Sequence, residues 1–141
     1  METLVKIVPK HNVFIVDNDY YNGLDVRNTL QENLGEEVGI RVFPEAESCL
    51  AAINSSKEKP SVVILEYAEN KRLNEERGEH MVDQVKKLSP KAAIIIFSNK
   101  DNSGRATKAL AYGANDFVLK DQFLHEHLLS AVKKGLHPAK M

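Results

Sequence analysis

Three unbroken apolar runs, rich in β-branched residues, constrain the fold of this chain more than any other feature. They lie at residues 13–16, 62–65 and 93–97. A half-exposed strand alternates apolar and polar residues, so an unbroken run of this length indicates a strand that is covered on both faces. Two weaker runs, at residues 40–43 and 116–119, predict two further strands.

Helical patterns separate these strands and follow the last of them. Apolar residues recur at helical spacing within residues 24–34, 46–53, 81–88, 106–112 and 123–132. Helix-ending signals follow four of the patterns, namely Gly35, Ser89-Pro90, Gly113 and Gly135. Strands that alternate with helices form a parallel sheet through right-handed crossovers, with helices on both faces. The sequence therefore predicts an α/β fold with five parallel strands and a long polar connection at residues 67–77.

Length and charge argue against several classes of protein. A chain of 141 residues fits one domain, residues 1–141, with a core at about 12–135. Lys and Arg number 19 against 20 Asp and Glu, a balance that argues against binding to nucleic acid. No apolar run approaches the ~20 residues that cross a bilayer, and residues 1–10 contain no secretory signal pattern. The single cysteine, Cys49, rules out an internal disulfide. We therefore expect a cytoplasmic domain without a membrane or nucleic-acid partner.

Polar residues stand where four of the five strands end, and these ends meet at one edge of a parallel sheet. They are Asp17, Asn18 and Asp19 after the first strand, Glu66 after the third, Ser98 after the fourth and Lys120 after the fifth. Crowded carboxylates attract a hard cation such as Mg²⁺, and a lysine and a hydroxyl can contact phosphoryl oxygens. The pattern predicts a phosphoryl-handling pocket. Taken singly, Asp17 or Asp19 is equally well explained as the N-cap of the first helix.

Residues 12–135 resemble a response-regulator receiver domain of bacterial two-component signalling. Residues 13–19 are similar to the first strand of that family and its acidic pair, and residues 113–120 are similar to its final strand. The resemblance implies that Ser98 and Phe117 are the switch residues and that Lys120 is the pocket lysine. It also implies a flavodoxin-like three-layer sandwich, whose five-stranded parallel sheet has the order 2-1-3-4-5.

The sequence departs from this family at the acceptor and at the metal-binding pair. Glu66 stands where the family has its phospho-accepting aspartate, and Asn18 replaces one carboxylate of the acidic pair. With these changes, we expect phosphorylation to be lost or weakened and Mg²⁺ to bind weakly at most. The remaining pocket residues would be Asp17, Asp19 and Glu66, with the longer Glu66 side chain acting as an imperfect mimic of the charged state.

The resemblance also implies how such a domain acts. We expect a stand-alone receiver that is not an enzyme and that binds a protein partner. The binding face would be a helix–strand–helix surface at about 101–135, and the partner a histidine kinase or an output protein. Pairing of two copies through their last helices is an open alternative.

Two other functions fit part of the pattern. In the first, Glu66 or a neighbouring acid accepts phosphate and the chain is an ordinary phosphorelay receiver. In the second, the chain is a phosphatase of the haloacid-dehalogenase type, with Asp17 as nucleophile and Asp19 as acid/base. Ser98 and Lys120 fit further motifs of that family, whereas the helical pattern after Lys120 does not.

Overall fold

The structure, a computed structural model, describes residues 9–55, 59–67, 75–98 and 110–137, of which residue 67 and residues 75–80 are described by their backbone alone. The strands are β1 (His11–Val16), β2 (Val38–Phe43), β3 (Val62–Tyr67), β4 (Ala93–Ser98) and β5 (Asp116–Leu119). The helices are α1 (Tyr20–Leu34), α2 (Ala46–Ser55), α3 (Glu75–Leu88) and α4 (Leu124–Leu136).

These strands form one parallel sheet of order β2-β1-β3-β4-β5. The predicted order 2-1-3-4-5 and the flavodoxin-like fold are therefore confirmed. The chain passes from β1 to β2 at one edge and then returns, so that β3 pairs with the other side of β1. Such a reversal leaves a crevice outside the carboxyl ends of the two strands. Asp17 follows β1 and Glu66 lies near the end of β3, so both stand at this crevice.

Apolar side chains cover both faces of the sheet. The face toward α2 and α3 buries a cluster that includes Phe14, Leu65, Ile94, Ile96, Cys49 and Val82. The face toward α1 and α4 buries a cluster that includes Ile15, Ile64, Phe97, Leu30 and Leu128. Because the central strands β1, β3 and β4 contribute to both clusters, their sequences are apolar without alternation.

The close approach of α4 to the sheet corrects one predicted helix end. Gly135, predicted to end the last helix, lies inside α4, which continues to Leu136. A Cβ at residue 135 would lie 2.9 Å from Ala93 Cβ and 2.9 Å from Val62 Cγ2. The glycine therefore allows the helix to lie directly on β3 and β4, and its role is packing and not termination.

Two other predicted segments have different bounds in the structure. β3 continues through Tyr67, and α3 begins at Glu75, so the irregular connection predicted at 67–77 is helical in its last part. Of the helix predicted at 106–112, residues 106–109 lie outside the described residues. The strand at 116–119 has the bounds that the sequence predicts.

A second glycine fixes the position of the first turn of α1 against the sheet. A Cβ on Gly23 would lie only 2.6 Å from Val42 Cγ1 and 3.5 Å from Asp17 Cβ. Any larger residue at position 23 would push α1 away from β2. The start of α1, which follows the acidic end of β1, is therefore held close to the crevice.

Candidate functional site

Strand alternation brings three of the predicted site residues to one side of the crevice. Successive side chains of a strand point to opposite faces of the sheet. Each of the three stands two positions after a residue that is buried on the α1 and α4 face: Asp17 after Ile15, Glu66 after Ile64, and Lys120 after Val118. The two carboxylates and the lysine therefore converge on this face, as the sequence predicts for a pocket.

An ion pair joins Glu66 and Lys120 in this pocket. The Lys120 Nζ lies 2.9 Å from Glu66 Oε1, and the side chains are only 13% and 9% exposed. The same ammonium lies 4.8 Å from the centre of the Phe97 ring, at a distance typical of a cation–π contact. The lysine is thus held on one side by a carboxylate and on the other by an aromatic face.

The carboxyl group of Glu66 is in an unfavourable environment for a charge. Burial raises the pKa of Glu66 from 4.5 to about 7, and the neighbouring Asp17 also raises this pKa, whereas Lys120 lowers it. Among the described residues, Glu66 Oε2 has no hydrogen-bond partner although it is buried. Near neutral pH the Glu66 carboxyl group can be protonated, and it can then donate a hydrogen bond to the neighbouring Asp17 carboxylate.

Asp17 is fully buried, and the start of α1 supplies hydrogen-bond donors to both of its carboxylate oxygens. Oδ1 accepts the backbone N–H of Asp19 at 2.9 Å, and Oδ2 accepts the side-chain amide of Asn22 at 2.6 Å. The backbone of Asp17 is fixed as well, since its N–H donates to the carbonyl of Phe43 at 3.0 Å. The negative charge of this carboxylate is therefore compensated by the protein itself.

Asp19 serves as the N-cap of α1. Its Oδ1 accepts the backbone N–H of Asn22 at 3.2 Å, which satisfies one of the free donors at the helix start. The capping interpretation is thus confirmed for Asp19, whose carboxylate is committed to the helix. Asn18, which the resemblance places in the metal-binding pair, is exposed.

Ser98 and Phe117 lie on the other face of the sheet. Strand alternation places Ser98 on the same face as Ile94 and Ile96, and Phe117 packs against the cluster that contains these two residues. Ser98 is 1% exposed, and among the described residues its Oγ has no partner. Its carbonyl accepts the backbone N–H of Lys120 at 2.7 Å, so the switch position and the pocket lysine are joined through the main chain.

The described residues do not fit a magnesium site. No three Asp, Glu, His or Cys side chains in the described part of the chain are grouped closely enough to hold a metal ion. Asp17 is occupied by two N–H donors, Asp19 by the helix start, and one oxygen of Glu66 by Lys120. Mg²⁺ is usually held by one or two carboxylates together with waters, and in the described residues each of these carboxylates already has a partner.

The fold and this pocket define a class of protein, the flavodoxin-like α/β domains with an acidic cluster at the switch point of the sheet. The sequence profile of the response regulator receiver domain matches residues 13–133, which is most of the chain. The chain belongs to this family, and it is a receiver domain of two-component signalling. Receiver domains typically bind Mg²⁺ and interact with kinases or output proteins.

Relatives of known name support this assignment. The chemotaxis protein CheY of Bacillus subtilis is 27% identical over 128 residues, covering 90% of this chain and 98% of that protein. The CheY protein of Listeria monocytogenes is 29% identical over 108 residues, covering 76% of this chain and 87% of that protein.

Solved structures share the fold. A two-component response regulator from Clostridium difficile superposes with a TM-score of 0.73 at 20% identity, covering 91% of this chain and 97% of that one. A response regulator from Thermotoga maritima gives a TM-score of 0.73 at 18% identity, covering 92% of this chain and 98% of that one. Within the described residues, no helix has the length and apolar character that crossing a membrane requires.

Sequence reasoning missed Asn22, which contacts the pocket directly. Its side chain reaches back from the first turn of α1 to Asp17, while its backbone N–H reaches Asp19. A short polar residue three positions after an N-cap was the available signal, since side chains at that position often turn back toward the helix start.

Proposed function

We propose that this receiver domain acts through protein contacts, with phosphorylation lost or strongly weakened because Glu66 stands at the acceptor position. The observation that carries the proposal is the 2.9 Å ion pair between Glu66 and Lys120. In this family the pocket lysine contacts the phosphoryl group, and here a carboxylate of the chain itself occupies it. Glu66 would then act as a built-in, imperfect substitute for the phosphorylated state, and the domain would not be an enzyme.

The local charge supports this proposal. A phosphoryl group would add about −1.5 to −2 charges beside the buried carboxylate of Asp17. Phosphoryl transfer also depends on close placement of acceptor, metal and donor. The longer Glu66 side chain shifts the acceptor oxygen by one methylene toward Lys120, and the described residues provide no magnesium site that would offset the added charge.

The proposed partner surface is the helix–strand–helix face at about 101–135, of which residues 110–135 are described. Three large apolar side chains of this part are about half exposed, namely Leu110, Tyr112 and Phe123. Exposed aromatic side chains are typical of protein interfaces. We propose that a histidine kinase or an output protein binds here. The capping role of Asp19 argues against the phosphatase alternative, which needs this carboxylate as acid/base.

Acetyl phosphate or beryllofluoride with Mg²⁺ tests the proposed loss of phosphorylation. We expect no saturable change in the NMR signals of Ser98, Phe117 or Lys120, and no added phosphate in the intact mass. A receiver domain that is phosphorylated under the same conditions shows that the assay detects modification, and the matched variant Glu66→Asp shows whether the acceptor type alone limits it. A clear, saturable response of the wild-type chain would favour the ordinary phosphorelay receiver instead.

A further inference from the structure

We propose that Asn22 is a positioning residue that closes this pocket to divalent cations by holding Asp17 in a fully hydrogen-bonded state. This inference goes beyond the proposed function, because it concerns the cation site and not the phospho-acceptor. Asn22 and Glu66 are different residues with separate contacts, so the effect of Asn22 on Mg²⁺ affinity can be measured whether or not Glu66 accepts phosphate.

The first step of the argument is the hydrogen bonding of Asp17. Its Oδ2 accepts the Asn22 side-chain amide at 2.6 Å, and its Oδ1 accepts the Asp19 N–H at 2.9 Å. Asp17 is fully buried, so water does not compete for these oxygens. A cation, or a water bound to one, would have to displace the Asn22 amide to reach Oδ2.

The second step is the rigidity of the first turn of α1. Three residues form a closed set of bonds, because Asp19 accepts the Asn22 backbone N–H at 3.2 Å and donates its own N–H to Asp17. The next residue, Gly23, donates to the Asp19 carbonyl at 3.0 Å and approaches Val42 so closely that a Cβ would lie 2.6 Å away. The backbone of Asn22 is therefore held in place beside Asp17.

The third step is the charge of the pocket. Lys120 neutralises one oxygen of Glu66 at 2.9 Å, and two N–H donors compensate Asp17. A divalent cation normally relieves the repulsion between neighbouring carboxylates. Here an ammonium and two N–H donors supply part of that relief, so a metal ion would have to replace contacts that the protein already makes.

The test compares full-length chains in which the carboxylates of the family are restored, with and without Asn22. The background variant is Asn18→Asp/Glu66→Asp, and the second carries Asn22→Ala in addition. Mg²⁺ affinity is measured by calorimetry, and Mn²⁺ broadening of the Ser98 and Lys120 amide signals locates the ion. We expect the variant without Asn22 to bind Mg²⁺ about tenfold more tightly than the background, because the ion no longer has to displace a hydrogen bond to the Asp17 carboxylate.

Matched variants separate this role from a structural one. Asn33→Ala removes an amide of the same helix that donates to the Thr29 carbonyl at 2.7 Å, and it should leave Mg²⁺ affinity unchanged. Asn22→Leu keeps the branching at Cγ and removes the donor, and it replaces Asn22→Ala if that variant does not fold. Equal Mg²⁺ affinity with and without Asn22 would overturn the inference. Phosphorylation of the wild-type chain would contradict the proposed function whatever the Mg²⁺ affinities of these variants.

Discussion

The ammonium of Lys120 lies 2.9 Å from Glu66 Oε1, in a pair whose side chains are 13% and 9% exposed. Removal of one partner from a buried ion pair leaves the other charge without compensation, and this costs more than the pair itself contributes. The pair therefore affects both the stability and the titration of the pocket.

Substitution of Lys120 should destabilise the domain strongly above neutral pH. Lys120→Met leaves the Glu66 carboxylate buried and unpaired, and we expect the free energy of unfolding to fall by about 3 kcal/mol. Chemical denaturation measures this change. The double variant Lys120→Met/Glu66→Gln should recover part of the loss, and a double variant no more stable than Lys120→Met would show that the charge of Glu66 is not the cause.

Glu66 should make the stability of the domain depend on pH. Its pKa is about 7 in the folded chain, against an ordinary value of 4.5. The folded state therefore binds more protons than the unfolded state between these values, so the free energy of unfolding falls as pH rises through this window. One such group gives a slope of at most about 1.4 kcal/mol per pH unit. Denaturation curves at several pH values should show that the free energy of unfolding depends on pH in this way in the wild type and not in Glu66→Gln. If the pH dependence is the same in Glu66→Gln, other titratable groups cause it.

Ser98 should be dispensable for stability, unlike the charged residues of the pocket. Its buried Oγ has no partner among the described residues, so the hydroxyl is desolvated without a compensating hydrogen bond. We expect Ser98→Ala to be neutral or to stabilise the chain by up to about 1 kcal/mol. Thermal unfolding measures the effect. A decrease in stability of more than about 1 kcal/mol would mean that the Ser98 hydroxyl has a hydrogen-bond partner.

Gly23→Ala should destabilise the chain through overpacking against β2. The new Cβ would lie 2.6 Å from Val42 Cγ1, closer than real side chains pack. We expect a loss of about 1–3 kcal/mol, since the helix or the strand must shift. Gly23→Ala/Val42→Ala should restore part of that stability in the same denaturation assay. A failure to do so would place the strain elsewhere.

The fold was predictable from the sequence because its signals are local. Unbroken apolar runs mark strands that are covered on both faces, and Gly35 lies at the end of α1 with a positive φ angle of 77°. Gly135 misled the prediction because its role depends on Ala93 and Val62, which are distant in sequence.

The sequence predicted which residues form the candidate site better than it predicted how their side chains are arranged. Strand ends identified Asp17, Glu66 and Lys120, which the structure brings to one face. Side-chain direction decided the rest: Asp19 turns to the helix start, and Asn22 turns back to Asp17. Those choices depend on the packing of α1 against β2, for which the sequence contains no direct signal.

Ser98 and Lys120 stand on opposite faces of the sheet, yet the Lys120 N–H donates to the Ser98 carbonyl at 2.7 Å. Only main-chain atoms take part in this bond, so it persists through side-chain substitutions at either position. A proline at residue 120 would remove the donor and break it. The contact between these two positions is therefore a property of the backbone, and it is kept when the side chain on either face changes.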